Sequence, residues 1–389
     1  MNRHRLLLTF LFTFLILSAC TTKPHTPPAP STLQPPPPLF SETQHIKTNW
    51  WKNLPRFMQE QARRTLDQSN QLLDTHRPTT TPSSVRRAAL LMIDQVLHHQ
   101  DAPDWPIVQQ YFTDHITRVA EDLEQHHPTQ GIFIYKIYNH GFIIRTPTVT
   151  FAFDLTRAKL PNHPSFGLSD QLTQRLIDQC DFLLISHFHY DHADLAVAKR
   201  FIQQNKPVLT PPQLWQDKPI HAALTHLPRS ASAPHQTHTL SLTHRSKPQS
   251  ITIINYPGHQ GPGTDIQNNI PLVITPENIA IAHTGDQWLS ADFEWIDTIH
   301  QHHPVDILIP NCWTMDLPRL VRGFNPKLII PGHENELNHR IDQREPLWLT
   351  FDRLTHANTT NQKQTPSVIM TWGEKYHYIP EIKPTSQSN

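Results

Sequence analysis

Between residues 45 and 130 the apolar positions return every three or four residues. Met58, Ala62, Leu66 and Leu73 form one series, Val85, Ala89, Met92 and Val96 a second, and Val108, Phe112, Ile116, Val119 and Leu123 a third. Such spacing places each series on one face of a helix, so three helices are expected. The TTTPSS segment at 79–84 and the prolines at 103 and 106 punctuate them. From Gly131 the period shortens. IFIYKIY, FIIR and VTFAFDL alternate or run apolar over short spans, with a turn at Asn139-His140-Gly141, and read as strands. SDQLTQRLIDQC reads as a helix with Ser169 as N-cap, followed by the buried strand FLLIS. ITIINY, PLVIT, NIAIAH, VDILIP and KLIIP continue the strand pattern, with helices near 292–301, 316–322 and 345–356. Two strand-rich halves with helices between and outside predict a layered α/β domain.

The start of the chain has a different texture. Arg3 and Arg5 precede a twelve-residue apolar run at 6–17. That run is short for a bilayer span, which takes about 20 residues, and has the length of a signal-peptide core. It ends in Leu17-Ser18-Ala19-Cys20, which resembles the lipobox of bacterial lipoproteins, in which cleavage leaves Cys20 lipidated. The resemblance implies export and a lipid anchor in the membrane. Thr21 in place of an aspartate after the cysteine resembles the outer-membrane sorting pattern. The proline-rich stretch that follows reads as an extended tether.

Composition narrows the classes. Lys+Arg and Asp+Glu both number 33, which argues against the basic face that nucleic-acid binding requires. Of the ten glycines, none precedes Gly131, in keeping with signal, tether and helix before it. Beyond Cys20 only Cys180 and Cys312 remain. They fall at opposite ends of predicted strands, so two buried free thiols are expected rather than a disulfide.

Histidine, at 28 residues, carries the chemistry. SHFHYDHADL places His187, His189, Asp191 and His192 within six positions at the end of a strand. His187 and His189 alternate as on an extended loop, while Asp191 and His192 are expected to begin a helix. His259, Asp286 and His333 each follow another predicted strand, where loops gather at one rim of a sheet. Imidazole with carboxylate and no cysteine suits Zn²⁺ first, and Mn²⁺ or Fe²⁺ as well.

This order of motifs resembles the metallo-β-lactamase superfamily of di-metal hydrolases, over about residues 131–372. The resemblance implies a four-layer αββα sandwich, here preceded by an all-helical region. It implies that His187, His189 and His259 bind one divalent metal, that Asp191, His192 and His333 bind the other, and that Asp286 bridges them. Asp154, closing VTFAFDL, matches the residue that orients the histidine loop. Asp191, besides ligating, is expected to accept the nucleophile's proton as the catalytic base, and Tyr190, Asn311 and Trp313 are candidate pocket residues. The HYDH wording and late GH motif are similar to the branch holding ascorbate-6-phosphate lactonase and N-acylphosphatidylethanolamine phospholipase D. That branch carries a Trp-x-Gly-His-Ser turn, whereas this chain has Tyr138-Asn139-His140-Gly141-Phe142.

The expected organisation is a signal at 1–19, a lipidated cysteine and tether at 20–44, helices at 45–130, a hydrolase domain at 131–375 and a tail at 376–389. The expected protein is tethered to the membrane of the bacterial cell envelope, at the outer membrane facing the periplasm. There it hydrolyses a phosphodiester, lactone or ester, whether of a phospholipid or a small molecule, with no nucleic-acid partner. The alternative is a non-catalytic metal-binding envelope lipoprotein.

Overall fold

The computed structural model describes residues 52–229, 235–244, 247–261 and 266–380. The signal segment, Cys20, the tether, Trp50, Trp51 and residues 381–389 lie outside them. Among the described residues no helix is long and apolar enough to cross a membrane.

Three helices come first, α1 (Leu54–Thr75), α2 (Ser84–Leu97) and α3 (Pro106–Gln125). Their starts follow capping chemistry: Asn53 and Ser83 accept the amides of Arg56 and Arg86 at 3.2 and 3.1 Å. In α1 and α3 the expected series face inward, save for a half-buried Met58. In α2 the inward face is instead Ala89, Leu90, Ile93, Val96 and Leu97, leaving Val85 exposed and Met92 half-buried. The doubled apolar pairs of RRAALLMIDQVL allow either stripe, and packing selects the richer one.

The strands and remaining helices follow as β1 (Ile132–Lys136), β2 (Phe142–Arg145), β3 (Thr150–Phe153), α4 (Asp170–Gln179), β4 (Phe182–Leu184), α5 (Leu195–Gln203), β5 (Val208–Thr210) and β6 (Thr225–His226). Next are β7 (Gln236–His244), β8 (Lys247–Gln260), β9 (Ile266–Ile274), β10 (Ala280–His283), α6 (Phe293–Ile296), α7 (Ile299–His302) and β11 (Ile307–Ile309). The last are α8 (Leu317–Phe324), β12 (Leu328–Ile329), α9 (Leu347–Asn361) and β13 (Lys375–Tyr378). One sheet has the order β13-β1-β2-β3-β4-β5-β6 and the other β12-β11-β10-β9-β8-β7.

Side-chain alternation sorts each strand between two cores. Phe142 and Ile144, Phe151 and Phe153, Phe182 and Leu184 point into the space between the sheets, where they meet Ile251, Ile253, Val273, Ile281, Ile307 and Ile309. The intervening Ile143, Ala152, Leu183, Leu272, Ala282 and Leu308 face the helices outside. Both faces of both sheets are thus covered, giving the four-layer αββα sandwich with a helical region ahead of it.

The sheet extends past the expected boundary at 375. Tyr376, His377 and Tyr378 pair with β1, with Ile132 opposite Tyr378. Tyr376 is half-buried, His377 exposed and Tyr378 buried, the mixed pattern of an edge strand. β5, β6 and β7 were also not apparent from the pattern. The first two are too short to show a period, and the third reads polar, as QTHTLSLTH. Asp191 and His192 lie in a turn rather than a helix, since α5 begins at Leu195. Asp194 caps it by accepting the amides of Ala196 and Val197 at 2.9 and 3.3 Å. Cys180 and Cys312 are both buried and free.

The helical region is locked to the far end of the chain. The Arg86 guanidinium, 1% exposed, forms two 2.7 Å bonds with the Glu374 carboxylate and donates to the Ile369 carbonyl. His115 on α3 pairs with the Trp372 carbonyl at 2.8 Å.

Candidate metal centre

The parallel strands of both sheets end at one rim, and the site residues follow those ends. β3 leads to Asp154, β4 to His187, β10 to Asp286, β11 to Asn311 and β12 to His333. The backbone there is unusual. Asn139, Asp154 and His333 take φ of 54°, 46° and 79°, in the left-handed region that side chains other than glycine and asparagine seldom adopt. Gly285 is required next to Asp286, because a Cβ there would stand 2.2 Å from Asn268 Oδ1 and 2.6 Å from Ser186 Cβ.

Two sets of donors come together. His187, His189 and Asp286 form one, and Asp191, His192 and His333 the other. His187 Nε2 stands 3.1 Å from His189 Nδ1. Asp286 Oδ2 lies 3.7 Å from His187 Nε2 and 3.3 Å from the Nε2 atoms of both His192 and His333, so one carboxylate oxygen faces both sets. Asp191 Oδ2 lies 3.2 and 3.3 Å from the same two atoms of His192 and His333. The carboxylate of Asp286 is held from behind by Asn311 Nδ2 at 3.2 Å and Gln260 Nε2 at 3.3 Å.

The tautomers make this a cation site. Asp154 only accepts, so His192 donates to it from Nδ1 at 2.8 Å, and its Nε2 is left facing the Asp191 and Asp286 carboxylates in a fully buried position. Two buried carboxylates converging on one ring nitrogen call for positive charge, either an ion on the lone pair of neutral His192 or a proton on Nε2. Burial lowers His192, but the same carboxylates hold it well above the ordinary imidazole range. The donor set of imidazole and carboxylate fits two divalent ions, with zinc, manganese and iron all compatible. Without ions, protons take that role. Burial lowers His333, yet Asp286 and Asp191 outweigh it and carry it up to about 10. Burial and the neighbouring His192 instead push His187 down to about 3, leaving it neutral and ready to ligate. Burial raises Asp286 and Asp191, but the imidazoles of His192 and His333 hold both well below the usual carboxylate range.

His259 is not drawn into either set. Its Nδ1 is paired with Asp292 at 2.8 Å and its Nε2 stands 3.4 Å from the Arg229 guanidinium. Asn311 is fully buried behind Asp286 rather than lining the pocket. Trp313 and Tyr190 do line a cleft of about 280 Å³ over the carboxylates, together with Gln260, Asn338 and His339. The Tyr190 hydroxyl is turned away from that cleft, donating to Glu336 at 2.9 Å. Glu334 pairs with Lys136 in the interior.

Sequence reasoning did not assign roles to Asn139, His140, Gln260, Asn268, Arg229 or Asp292. Asn139 donates to Asp191 from the turn between β1 and β2. His140 is fully buried within reach of His192 and Asp286, with neither ring nitrogen hydrogen-bonded. The turn itself is visible in the sequence, and its proximity to the histidine loop is not. Asp292 sits in an unremarkable SADF segment.

Residues 163–344 match the family profile described as "Beta-lactamase superfamily domain". Over that stretch, which holds the histidine loop and the residues that follow the later strands, the chain is similar to that superfamily. Among solved structures, it is similar to a metallo hydrolase from the archaeon Ignicoccus hospitalis, with 16% identity, TM-score 0.47, and coverage of 65% of this chain and 99% of that one. It is also similar to a possible metal-dependent hydrolase from Veillonella parvula (15%, 0.43, 64% and 100%). The diiron β-hydroxylase CmlA from Streptomyces venezuelae is a third (13%, 0.45, 66% and 55%). Comparison with the curated proteins gives no match.

Proposed function

We propose that this protein is a metal-dependent hydrolase that cleaves a phosphodiester, lactone or ester. The reading rests on one observation: Asp286 Oδ2 is faced by imidazoles of both donor sets, as a bridging ligand requires. His187 and His189 would hold one ion and Asp191, His192 and His333 the other, with His259 completing the first set once it turns from Arg229. Two bound divalent ions supply a hydroxide at neutral pH and polarise the scissile group. Asp191, fixed by Asn139 beneath it, takes the nucleophile's proton. Trp313 and Tyr190 offer ring faces that position the substrate and exclude water. Zinc is the favoured metal, with manganese or iron as alternatives.

The lipobox-like Leu17-Ser18-Ala19-Cys20 and the proline-rich stretch support a lipid-anchored protein of the bacterial cell envelope, at the outer membrane facing the periplasm. A phospholipid is then a substrate within reach of the tether. The second reading, a non-catalytic metal-binding envelope protein, draws support from the His259–Arg229 contact. Turnover of bis(p-nitrophenyl) phosphate and p-nitrophenyl butyrate by the metal-loaded chain separates the two. Activity lost in Asp286→Ala supports the hydrolase, and no turnover of either compound, with two ions bound, overturns it.

A further inference from the structure

The cleft over the carboxylates does not end at its rim. Asn338 and His339 line it and also line an adjoining hollow of about 650 Å³. Ile341, Asp342 and Arg344 of that hollow line a third, of about 760 Å³, between α2 and the start of α9. The three hollows adjoin in series from the metal ligands to the helical region, and we read them as the sections of one groove. Its character changes on the way. The middle is polar, with Asp101, Asp104, His163 and Arg340. The far end is walled by Leu91, Met92, Ile341, Trp348 and Leu349.

Leu91, Ile341 and Trp348 are 48%, 41% and 48% exposed, and they are three of the nine exposed large apolar side chains among the described residues. Gathered in one hollow, they point to a ligand rather than to scatter over a surface. Of the charged groups of the hollow, only Asp342 is exposed, and it pairs with Arg340 at 3.1 Å; the others are engaged within the fold. Asp94 is spent on Asn335 and the amides of Leu347 and Trp348, Arg344 on the carbonyls of Leu97, Leu337 and His339, and Glu345 on Arg353. A cavity of this size with apolar walls suits an aliphatic chain.

We infer that the groove binds an acyl-bearing amphiphile: its scissile bond at the metal ligands, its polar portion along Asn338–His339, its aliphatic chain against Leu91 and Trp348. This rests on the hydrolase reading and names the substrate class within it. The far wall comes from α2, which gives the helical region a part in substrate selection.

The test uses the full metal-loaded chain, its Asp286→Asn form, and Leu91→Glu and Trp348→Glu, both on exposed positions. Binding of dansylundecanoate is followed by fluorescence against dansylglycine, and turnover of p-nitrophenyl decanoate against p-nitrophenyl butyrate. The long probe should bind parent and Asp286→Asn alike, and at least about tenfold more tightly than the short one. Both glutamate variants should erase that preference, and with it the preference for decanoate over butyrate, while thermal unfolding stays as in the parent. Equal binding of the two probes, or unchanged preference in both variants, overturns the groove and leaves the hydrolase standing. Selective binding of the long probe without turnover of any ester or phosphate leaves the groove standing and removes the hydrolase.

Discussion

Asp154 and His192 are joined by a 2.8 Å hydrogen bond from Nδ1 to Oδ2, and Asp154 reaches it from a left-handed backbone at φ 46°. The same carboxylate accepts the amide and hydroxyl of Ser186, both at 2.7 Å. Three donors therefore converge on one side chain, and the loop carrying His187, His189, Asp191 and His192 is fixed from behind. The direction in which His192 Nε2 points is set before any ion arrives.

Asp154→Asn should weaken metal binding about 10- to 100-fold, the usual effect of losing a partner that orients a ligand. The amide presents an N–H where His192 needs an acceptor. Competition against a chromophoric chelator measures it. An affinity within twofold of the parent would show that His192 finds its orientation elsewhere.

Asn311→Ala should separate support of Asp286 from ligation itself. Removing the 3.2 Å bond to Asp286 Oδ1 should lower turnover about tenfold with both ions retained. Asp286→Ala should lose at least one ion and about 100-fold or more in turnover. Metal analysis beside kinetics distinguishes the two, and equal metal loss in both variants would refute the division of roles.

Chelation should destabilise the protein. Ions that bind only the folded state add about 4 kcal/mol at a thousand times their dissociation constant. Calorimetry with and without chelator should show the midpoint falling, and by less in Asp286→Ala. An unchanged midpoint after proven metal removal would mean that the protonated imidazoles compensate fully.

Arg86→Met should cost about 3–5 kcal/mol, since it strands the Glu374 carboxylate in an interior position. Glu60→Gln on α1, which breaks half-exposed pairs to Arg63 and Arg64, should cost within about 1 kcal/mol. Urea midpoints of the two variants give the contrast. Similar values would mean that the helical region is only loosely held.

Asp94 sets a pH dependence. Burial raises it to about 6 against the pull of Asn335 and the amides of Leu347 and Trp348. Its folded value lies above the unfolded one, near 3.9, so the native state binds the proton more tightly. The stabilisation is fully present below the unfolded value and is lost as pH rises through about 6. Glu345, raised by burial to about 7, acts in the same sense. Asp94→Asn should thus gain on the parent by on the order of 2–3 kcal/mol between pH 4 and 7.5. A constant gap across that window, from urea titrations, would contradict it.

The sandwich was legible where period and chemistry coincide. Val108, Phe112, Ile116, Val119 and Leu123 mark α3 without ambiguity, and Ser169 caps α4 as its sequence indicates. The ligand motifs stood out because each falls at the end of an apolar strand. What the sequence hid depends on distance. His259 meets Arg229 and Asp292, and Asp286 meets Asn268 and Asn311, through contacts that no local pattern encodes. The inward face of α2 differs from the expected one because RRAALLMIDQVL carries two apolar stripes, and only the packing of α1 and α9 decides between them. β13 has a half-polar pattern that resembles a tail until β1 is beside it.

The pairing of Arg86 with Glu374 spans 288 residues, and β13 closes the edge beside β1 from the same end of the chain. During synthesis α2 emerges first and must wait for nearly the whole sandwich before its guanidinium has a partner. The Arg86–Glu374 contact therefore forms only after β13 is made, and β13, the last strand among the described residues, pairs with β1 while its neighbour Glu374 holds the helical region. Loss of a short stretch around 374–378 would open the molecule at two places at once, one of them at its opposite end in sequence.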